Sequence, residues 1–335
     1  MGSRESGRCG ERRFYSKEMK VFCFGDVHVG ASRHQFVREE EDCLGEWVLG
    51  CVKRYGCERV VFLGDFFKER MHTGRDKDKV WHLLKEISKV VDVVVVAGNH
   101  DYYDKNCEES AVEVFSSDGI EVASSCVMQE EVGGRKILYV PWKWVFGKSV
   151  LDGDVIFGHF ELAEAVSWQS EEQVNLQNFR NARVVVSGHL HFRERIRNVY
   201  YAGVPFQRSF GDGLEGGGAV VDLESLKVEF VDGYGVKFVE VESIENLKKL
   251  DGIGRCYVRV REKSLLKVVE EYEGDIVGFE YLPSEVCGGS EDLMVLQDVK
   301  RKIDVWELLG EYGEKVLKLD EKGIEWLKGV VNEVK

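Results

Sequence analysis

Eight side chains able to bind metals or transfer protons lie in five short phrases, each at the end of an apolar run. The phrases are "KVFCFGDVH", "RVVFLGD", "VVVVAGNHD", "DVIFGH" and "RVVVSGHLH". Five of the eight histidines of the chain fall within them. The eight side chains are Asp26, His28, Asp65, Asn99, His100, His159, His189 and His191.

Their types and spacing indicate two metal ions that act together. Asp26 and His28 are two residues apart, as are His189 and His191, so on an extended segment each pair projects to one side and can reach one ion. Asp65 is a carboxylate able to bridge, and the amide of the third phrase adds an oxygen. Two cations about 3.5–4 Å apart clamp a phosphoryl group and lower the pKa of a bound water. The residues therefore predict phosphoester hydrolysis, with Mn, Fe or Zn suited to the mixed oxygen and nitrogen ligands.

The runs before these side chains predict buried strands, and helical spacing lies between the first three, at roughly residues 33–55 and 77–90. This order predicts parallel strands with right-handed crossovers. Ligands of such sheets gather beyond the carboxyl ends of the strands. We expect Gly98 to let the backbone turn sharply, so that Asn99, His100 and Asp101 are held at the rim of the sheet.

The residue pattern of the rest of the chain changes at two places. After Tyr200, glycine-rich turns and alternating residues predict antiparallel hairpins. From residue 236 the pattern predicts a small α+β unit: strand 236–242, helix 244–250, strand 254–261, helix 263–273 and strand 275–282. Two helices are expected at about 303–312 and 322–334. Residues 1–18 lack apolar periodicity and are expected to be a disordered leader, an extension from an upstream start codon or a cloning remnant.

The ordered set D-x-H, G-D, G-N-H-D, G-H and G-H-x-H resembles the calcineurin-like metallophosphoesterase family. The resemblance implies an α/β fold, a two-sheet sandwich flanked by helices, with a small α+β C-terminal cap. The domains would be residues 19–235 (metallophosphoesterase), 236–286 (cap) and 287–335 (a helical segment that could contact an ATPase).

The resemblance also implies a role for each residue of the motifs. One metal would be bound by Asp26, His28 and His191, and the other by Asn99, His159 and His189. Asp65 would bridge the two metals. His100 would act as a general acid or hydrogen-bond donor in the transition state, and Asp101 would orient its imidazole.

Longer segments narrow the resemblance to one branch. "GNHDYYDKN", "YVPWKW", "GHFELAE" and "SGHLHFRERIRNVYYAGVPFQRSFGD" resemble the recombination nucleases, SbcD-type enzymes and most closely the recombination endonuclease subunit of T-even phages. That branch implies a manganese-dependent DNA exonuclease and endonuclease of recombination, repair and replication. It would work beside an ABC-type coiled-coil ATPase and be a homodimer.

Basic residues cluster in sequence around the later motifs and could form a track for phosphates or simply a solvated face. Those expected to contact substrate are Lys143, Arg193, Arg195 and Arg208, and Arg180, Arg183 and Arg197 lie nearby. Trp142 and Trp144 could stack on a base or pack in the core. In the first helix, Leu44, Trp47, Val48 and Cys51 could form a dimer face or cover the sheet.

Composition limits the alternatives. With 44% hydrophobic and 32% charged residues and no long apolar run, the chain is expected to be a cytoplasmic protein without a membrane segment. Nine cysteines without a CxxC pair indicate free thiols. The net charge of −14 opposes non-specific binding of nucleic acid. Two other functions therefore stay open: a small-molecule phosphodiesterase or phosphatase of the same fold, and a mainly non-catalytic scaffold for the ATPase on DNA.

Overall fold

The structure, a computed structural model, describes residues 19–282 apart from 31, 33, 105–108, 146–149, 169, 171, 249 and 273. The chain divides between Val239 and Glu240 into two compact units. The leader at 1–18 and the helices expected at 303–312 and 322–334 lie outside the described residues.

The first unit is built on strands joined by two long helices and several short turns. The helices of the described chain are α1 (Gln35–Tyr55), α2 (Gly74–Ser88), α3 (Trp142–Val145), α4 (Ile244–Lys248) and α5 (Leu266–Glu270). The strands are β1 (Lys20–Phe24), β2 (Arg59–Phe62), β3 (Asp92–Val96), β4 (Ile120–Ala123), β5 (Met128–Val132), β6 (Arg135–Val140), β7 (Val155–His159), β8 (Glu161–Leu162), β9 (Gln173–Val174), β10 (Val184–Gly188), β11 (Arg193–Ile196), β12 (Val199–Ala202), β13 (Gly217–Asp222), β14 (Val228–Asp232), β15 (Lys237–Val241), β16 (Cys256–Val260) and β17 (Ile276–Tyr281).

The first sheet has the order β14-β13-β1-β2-β3-β4. Strands β1 to β4 are parallel, and α1 and α2 make the crossovers between β1, β2 and β3, as the sequence predicts. Helix α2 begins a few residues earlier than expected because Thr73 and Asp76 form a capping box there: the Thr73 hydroxyl accepts the Asp76 N–H at 3.2 Å, and the Asp76 carboxylate accepts the Thr73 N–H at 3.0 Å.

The second sheet has the order β11-β12-β10-β7-β6-β5 and packs face to face on the first. One buried cluster contains Val61 and Val94 from the first sheet together with Phe157 and Val186 from the second. The predicted two-sheet sandwich is therefore confirmed. Of the predicted antiparallel hairpins, β13–β14 lies after residue 200, and β12 pairs antiparallel with β11 on one side and in parallel with β10 on the other.

Helix α1 covers the outer face of the first sheet. Leu44 and Val48 are buried, and the Trp47 ring lies 5.3 Å from that of Phe22 on β1. Cys51 is also buried on this face. The apolar face of α1, which could have formed a dimer face or covered the sheet, therefore covers the sheet.

The second unit begins within β15. Strands β15, β16 and β17 form a three-stranded sheet, and α4 and α5 connect them, in the order predicted from residue 236 onward. Among the residues that the structure describes, no helix is both long and apolar enough to cross a membrane.

Candidate active site

The side chains singled out in the sequence converge where strands of both sheets end. Asp26 and His28 follow β1, and Asp65 follows β2. Asn99 and His100 follow β3 in a short 3₁₀ turn. The second sheet contributes His159 at the end of β7, and His189 and His191 after β10.

The first group of candidate ligands comprises Asp26, His28 and His191, whose ligand atoms all lie within 4.8 Å of one another. The Nε2 atoms of His28 and His191 are 3.0 Å apart, and His191 Nε2 lies 4.0 Å from Asp26 Oδ1. This is the set that the family resemblance implies for one metal.

The second group comprises Asn99, His159 and His189. The Asn99 side-chain oxygen lies 3.0 Å from His159 Nε2 and 3.0 Å from His189 Nδ1, and these two nitrogens are 3.2 Å apart. The set implied for the second metal is therefore also brought together.

Asp65 lies between the two groups. Its Oδ2 atom is 3.8 Å from His28 Nε2 and 3.5 Å from His159 Nε2, one imidazole from each group. A carboxylate in this position can supply one oxygen to each of two cations. The geometry suits the bridging role that the resemblance implies.

The spacing of His189 and His191 predicted that both reach one ion, but the structure places them in different groups. The segments are also not extended: Asp26, His28, Asp65 and His189 have positive φ angles of 56°, 50°, 58° and 90°. Such left-handed conformations cost about 1–3 kcal/mol each and are concentrated here at the candidate ligands.

Two glycines allow the loops to cross closely. A Cβ atom on Gly64, where φ is +94°, would lie 2.5 Å from His159 Nδ1. Gly98 has φ −89°, a value open to any residue, so the backbone turn there does not itself require a glycine. Glycine is needed here because Asp65 approaches closely: a Cβ atom on Gly98 would lie 2.2 Å from Asp65 Oδ1.

Hydrogen bonding shows that the first group presents lone pairs to a common point. His28 Nδ1 lies 3.1 Å from the Phe67 carbonyl oxygen, and His191 Nδ1 lies 2.7 Å from Asp212 Oδ1. These two acceptors favour the tautomer with the hydrogen on each Nδ1, and in the neutral imidazoles the two Nε2 lone pairs then face each other. A cation that accepts both lone pairs relieves this arrangement, so the donor set fits a metal.

The protonation states agree with that fit. Burial lowers the pKa of His28 to about 3 and that of His159 to about 4, which keeps both imidazoles neutral, as metal binding requires. Burial alone would raise the pKa of Asp65, but the imidazoles of His159 and His28 lower it below its usual range. Asp65 is therefore an ionised, acceptor-only group.

A family model of the calcineurin-like phosphoesterases matches residues 19–193, more than half of the chain. The chain belongs to this family. A comparison with solved structures gives a crystal structure of a dimetal phosphatase from Danio rerio, with a TM-score of 0.41 and 15% sequence identity over 61% of this chain and 92% of that one. No curated protein sequence matches the chain.

Calcineurin-like phosphoesterases bind two divalent metal ions, and the two groups around Asp65 are where this member would hold them. Two such cations supply Lewis acidity that polarises a phosphoryl group and activates water. The protein itself fixes the ligand positions with the hydrogen bonds and left-handed backbone described above. The chain is thus a metal-dependent hydrolase by family.

His100 lies beside the first group, with its ring 5.0 Å from that of His28. Its backbone N–H donates to Asp65 Oδ1 at 2.8 Å, and its Nδ1 lies 2.7 Å from the Lys68 carbonyl oxygen. Nδ1 therefore carries a hydrogen. Within the part of the chain that the structure describes, Nε2 has no hydrogen-bond partner and can exchange a proton with substrate.

Asp101 does not orient the His100 imidazole, so that part of the prediction is wrong. Its carboxylate points inward and accepts the backbone N–H groups of Gly98, Asp65 and Phe66, each at 2.9 Å. The 3₁₀ turn sends adjacent side chains in different directions, and the Lys68 carbonyl oxygen takes the orienting position. Asp101 instead joins the loops after β2 and β3.

Replacing Asp101 with Asn should lower the free energy of unfolding by about 2–3 kcal/mol, because an amide offers one acceptor oxygen to three buried N–H groups. Urea denaturation of the purified variant measures this loss. Asp118→Asn, at an exposed position before β4, is the matched control. A change below about 0.5 kcal/mol, typical of surface substitutions, would contradict the structural role.

Asp212 also belongs to the site, although it was not predicted from the sequence. This buried carboxylate accepts from His191 and from the backbone N–H groups of Arg208 and Ser209, at 2.7 and 3.0 Å. Burial alone would lower the pKa of His191, but the hydrogen bond with Asp212 raises it. The signal was present in "QRSFGD", another Gly-Asp phrase, but that phrase does not follow an apolar run.

Asp212→Asn should weaken binding of Mn²⁺ by about 10–100-fold, the usual effect of removing a carboxylate that orients a metal-binding imidazole. Isothermal titration calorimetry of the metal-free protein measures the change. Asp152→Asn, at an exposed site, should bind as the wild type does. Equal affinities for Asp212→Asn and wild type would show that Asp212 does not tune His191.

Two of the four predicted phosphate-binding residues are engaged elsewhere. Arg208 donates to Glu41 Oε1 at 2.5 Å and its side chain is nearly buried. Arg193 pairs with Asp232 at 3.0 Å. These ion pairs argue against direct contact with substrate. Arg195 is exposed, with its guanidinium 4.9 Å from the Tyr200 ring centroid, and Lys143 lies over the Tyr102 ring at 4.7 Å.

The two tryptophans beside Lys143 differ. Trp142 is buried, with its ring 6.2 Å from that of Tyr102, so it belongs to the core. Trp144 is 38% exposed. The core alternative therefore holds for Trp142.

Proposed function

We propose that this phosphoesterase is a two-metal phosphodiesterase acting on DNA, the exonuclease and endonuclease subunit of a recombination and repair complex. The observation that carries the catalytic part is the complete set of seven candidate ligands converging around Asp65, with His100 beside them. A scaffold without catalysis has no need of that set, so the scaffold alternative is not favoured.

The choice of DNA rests on the resemblance of "YYAGVPFQRSFGD" to the recombination nucleases. This segment is built into the metal site, because its last residue, Asp212, bonds His191. Arg195 is exposed and available for phosphates, whereas Arg180, Arg183 and Arg197 are exposed at the end of β10 away from His189. Mn²⁺ is the proposed native metal, since the same branch of the family uses it.

A small-molecule phosphodiesterase is the second candidate. The net charge of −14 disfavours a polyanionic substrate, and the ion pairs of Arg193 and Arg208 remove two cations from the expected track. A nuclease needs an open basic trough, whereas a small-molecule enzyme needs a closed pocket.

The deciding experiment incubates the full chain with Mn²⁺ and end-labelled duplex or single-stranded DNA. We expect cleavage by the wild type and by His82→Asn, an exposed histidine on α2, and strong loss with His100→Asn. A chromogenic phosphodiester serves as the second substrate. Hydrolysis of that ester without any DNA cleavage, even with the ATPase supplied, would overturn the nuclease assignment in favour of the second candidate.

We also propose that the protein works in the cytoplasm as a homodimer with an ABC-type coiled-coil ATPase. Because the apolar face of α1 covers the first sheet, the dimer would have to use another surface. Sedimentation of the full chain with and without the ATPase measures both associations. A monomer that does not co-sediment with the ATPase would refute both.

A further inference from the structure

An exposed tryptophan is fixed next to the metal site by a loop that leaves directly after His159. Strands β8 and β9 pair in parallel, Glu161 opposite Gln173 and Leu162 opposite Val174, and so close the base of the segment between them. Trp168 lies in this segment and is 54% exposed. The strand pairing holds the two ends of this segment close to His159.

Glu161 ties this tryptophan to the site. The Glu161 residue is only 9% exposed, and its two carboxylate oxygens accept the indole Nε1–H of Trp168 at 3.2 and 3.1 Å. Gln173 Nε2 donates to the same carboxylate at 2.6 Å. The Oε2 atom that accepts from Trp168 also lies 3.6 Å from His189 Nε2. One buried carboxylate thus stands between the indole and a candidate metal ligand.

The contacts of Trp168 leave its ring faces available. The indole has one polar atom, Nε1, and Glu161 satisfies it. Within the described residues, Trp168 makes no aromatic stacking contact, although the chain stacks many of its other rings. Burying such a large apolar surface is favourable, and a planar partner can do so without competing for the polar edge.

We infer that Trp168 is a stacking platform for a nucleobase of the substrate, held beside the metal site by Glu161. This inference rests on the proposed phosphodiesterase function and names a specificity-determining residue for it. A nucleotide whose phosphate lies at the metal ligands carries its base one sugar away, within reach of a platform that only the Glu161 carboxylate separates from His189. Every base has a π face, so the platform accepts bases of any sequence.

The test measures binding by the Mn²⁺-loaded full chain with isothermal titration calorimetry. The probes are thymidine 5′-monophosphate and 2-deoxyribose 5-phosphate, which share the phosphate and sugar and differ in the base. We expect the wild type to bind the nucleotide about tenfold or more tightly than the sugar phosphate. Trp168→Leu should abolish that preference, and Trp168→Phe, which keeps a ring but loses the N–H that Glu161 holds, should reduce it.

Measuring Mn²⁺ binding by Trp168→Leu distinguishes stacking of Trp168 on a base from a purely structural role of its side chain. Trp168→Leu should retain the Mn²⁺ stoichiometry and affinity of the wild type, because the base and not the metal uses the ring. The inference is overturned if Trp168→Leu keeps the nucleotide preference or if the wild type has none. It is also overturned if Trp168→Leu loses metal, since Trp168 would then act by positioning Glu161 against His189.

These outcomes are distinguishable from failure of the proposed function. A wild type that cleaves DNA yet shows no preference for the base refutes the platform alone. A wild type that fails to cleave DNA but binds the nucleotide through Trp168 refutes the nuclease assignment and leaves the platform in place.

Discussion

Replacing Asp65 with Asn should lower phosphodiester hydrolysis by at least about 10³-fold, since loss of a single electrostatic contribution to an active site already costs 10²–10³. Asp65 Oδ2 faces His28 on one side and His159 on the other, at 3.8 and 3.5 Å. An amide keeps the shape but has no negative charge and only one acceptor oxygen. Both metals should therefore be bound more weakly, which titration with Mn²⁺ measures beside the rate.

Asn is the appropriate replacement because it also tolerates the left-handed backbone at this position, where φ is 58°. The fold should survive, and circular dichroism of the variant checks that it does. Asp118→Asn makes the same chemical change at an exposed position and should leave both metal binding and the rate unchanged. Full activity of Asp65→Asn would refute the bridging role.

His100→Asn is expected to reduce kcat by about 10²–10⁴-fold, the usual contribution of a positioned acid or base. The His100 imidazole is held through Nδ1 by the Lys68 carbonyl oxygen, so its Nε2 can present a proton to the substrate. Because the backbone N–H of His100 makes the bond to Asp65, the variant keeps that contact. Steady-state kinetics at saturating Mn²⁺ measures the effect.

The same variant tests a competing assignment. The ligand atoms of His100, His28 and Asp65 also lie within 4.8 Å of one another, as in a metal site. If His100 is an acid, His100→Asn should bind two Mn²⁺ ions per chain as the wild type does. Loss of one ion would show that His100 is a ligand and would remove it from the proton transfer.

Much of the site was predictable because its residues follow a local rule. Each of Asp26, Asp65 and Asn99 comes after a buried strand, and the ends of parallel strands lie together at one edge of the sheet. The helices between those strands were predictable from their apolar spacing. Strands β4 to β6 were not predicted, because they lack the Gly-polar ending that identified the others.

The errors came from contacts between residues distant in sequence. Arg208 was expected at the substrate, but its partner Glu41 is 167 residues away and nothing near Arg208 reveals it. Asp212 was missed for the same reason, since its partner His191 lies in another segment. Asp101 was assigned to His100 because they are adjacent, yet the direction of a side chain in a 3₁₀ turn is not visible in the order of residues.

Each group of ligands takes side chains from both layers of the sandwich. Asp26 belongs to the first layer and His191 to the second, and the buried Val61 and Phe157 belong to the cluster that fills the space between the layers. The gap that a cation must fit is therefore set by the thickness of the hydrophobic interior. A misplacement of about 1 Å can reduce a rate 10²-fold. The catalytic rate therefore depends on the packing of the interior side chains that set the distance between the two layers. Substitutions deep in the core, with no polar atom near the substrate, are constrained by catalysis as well as by stability.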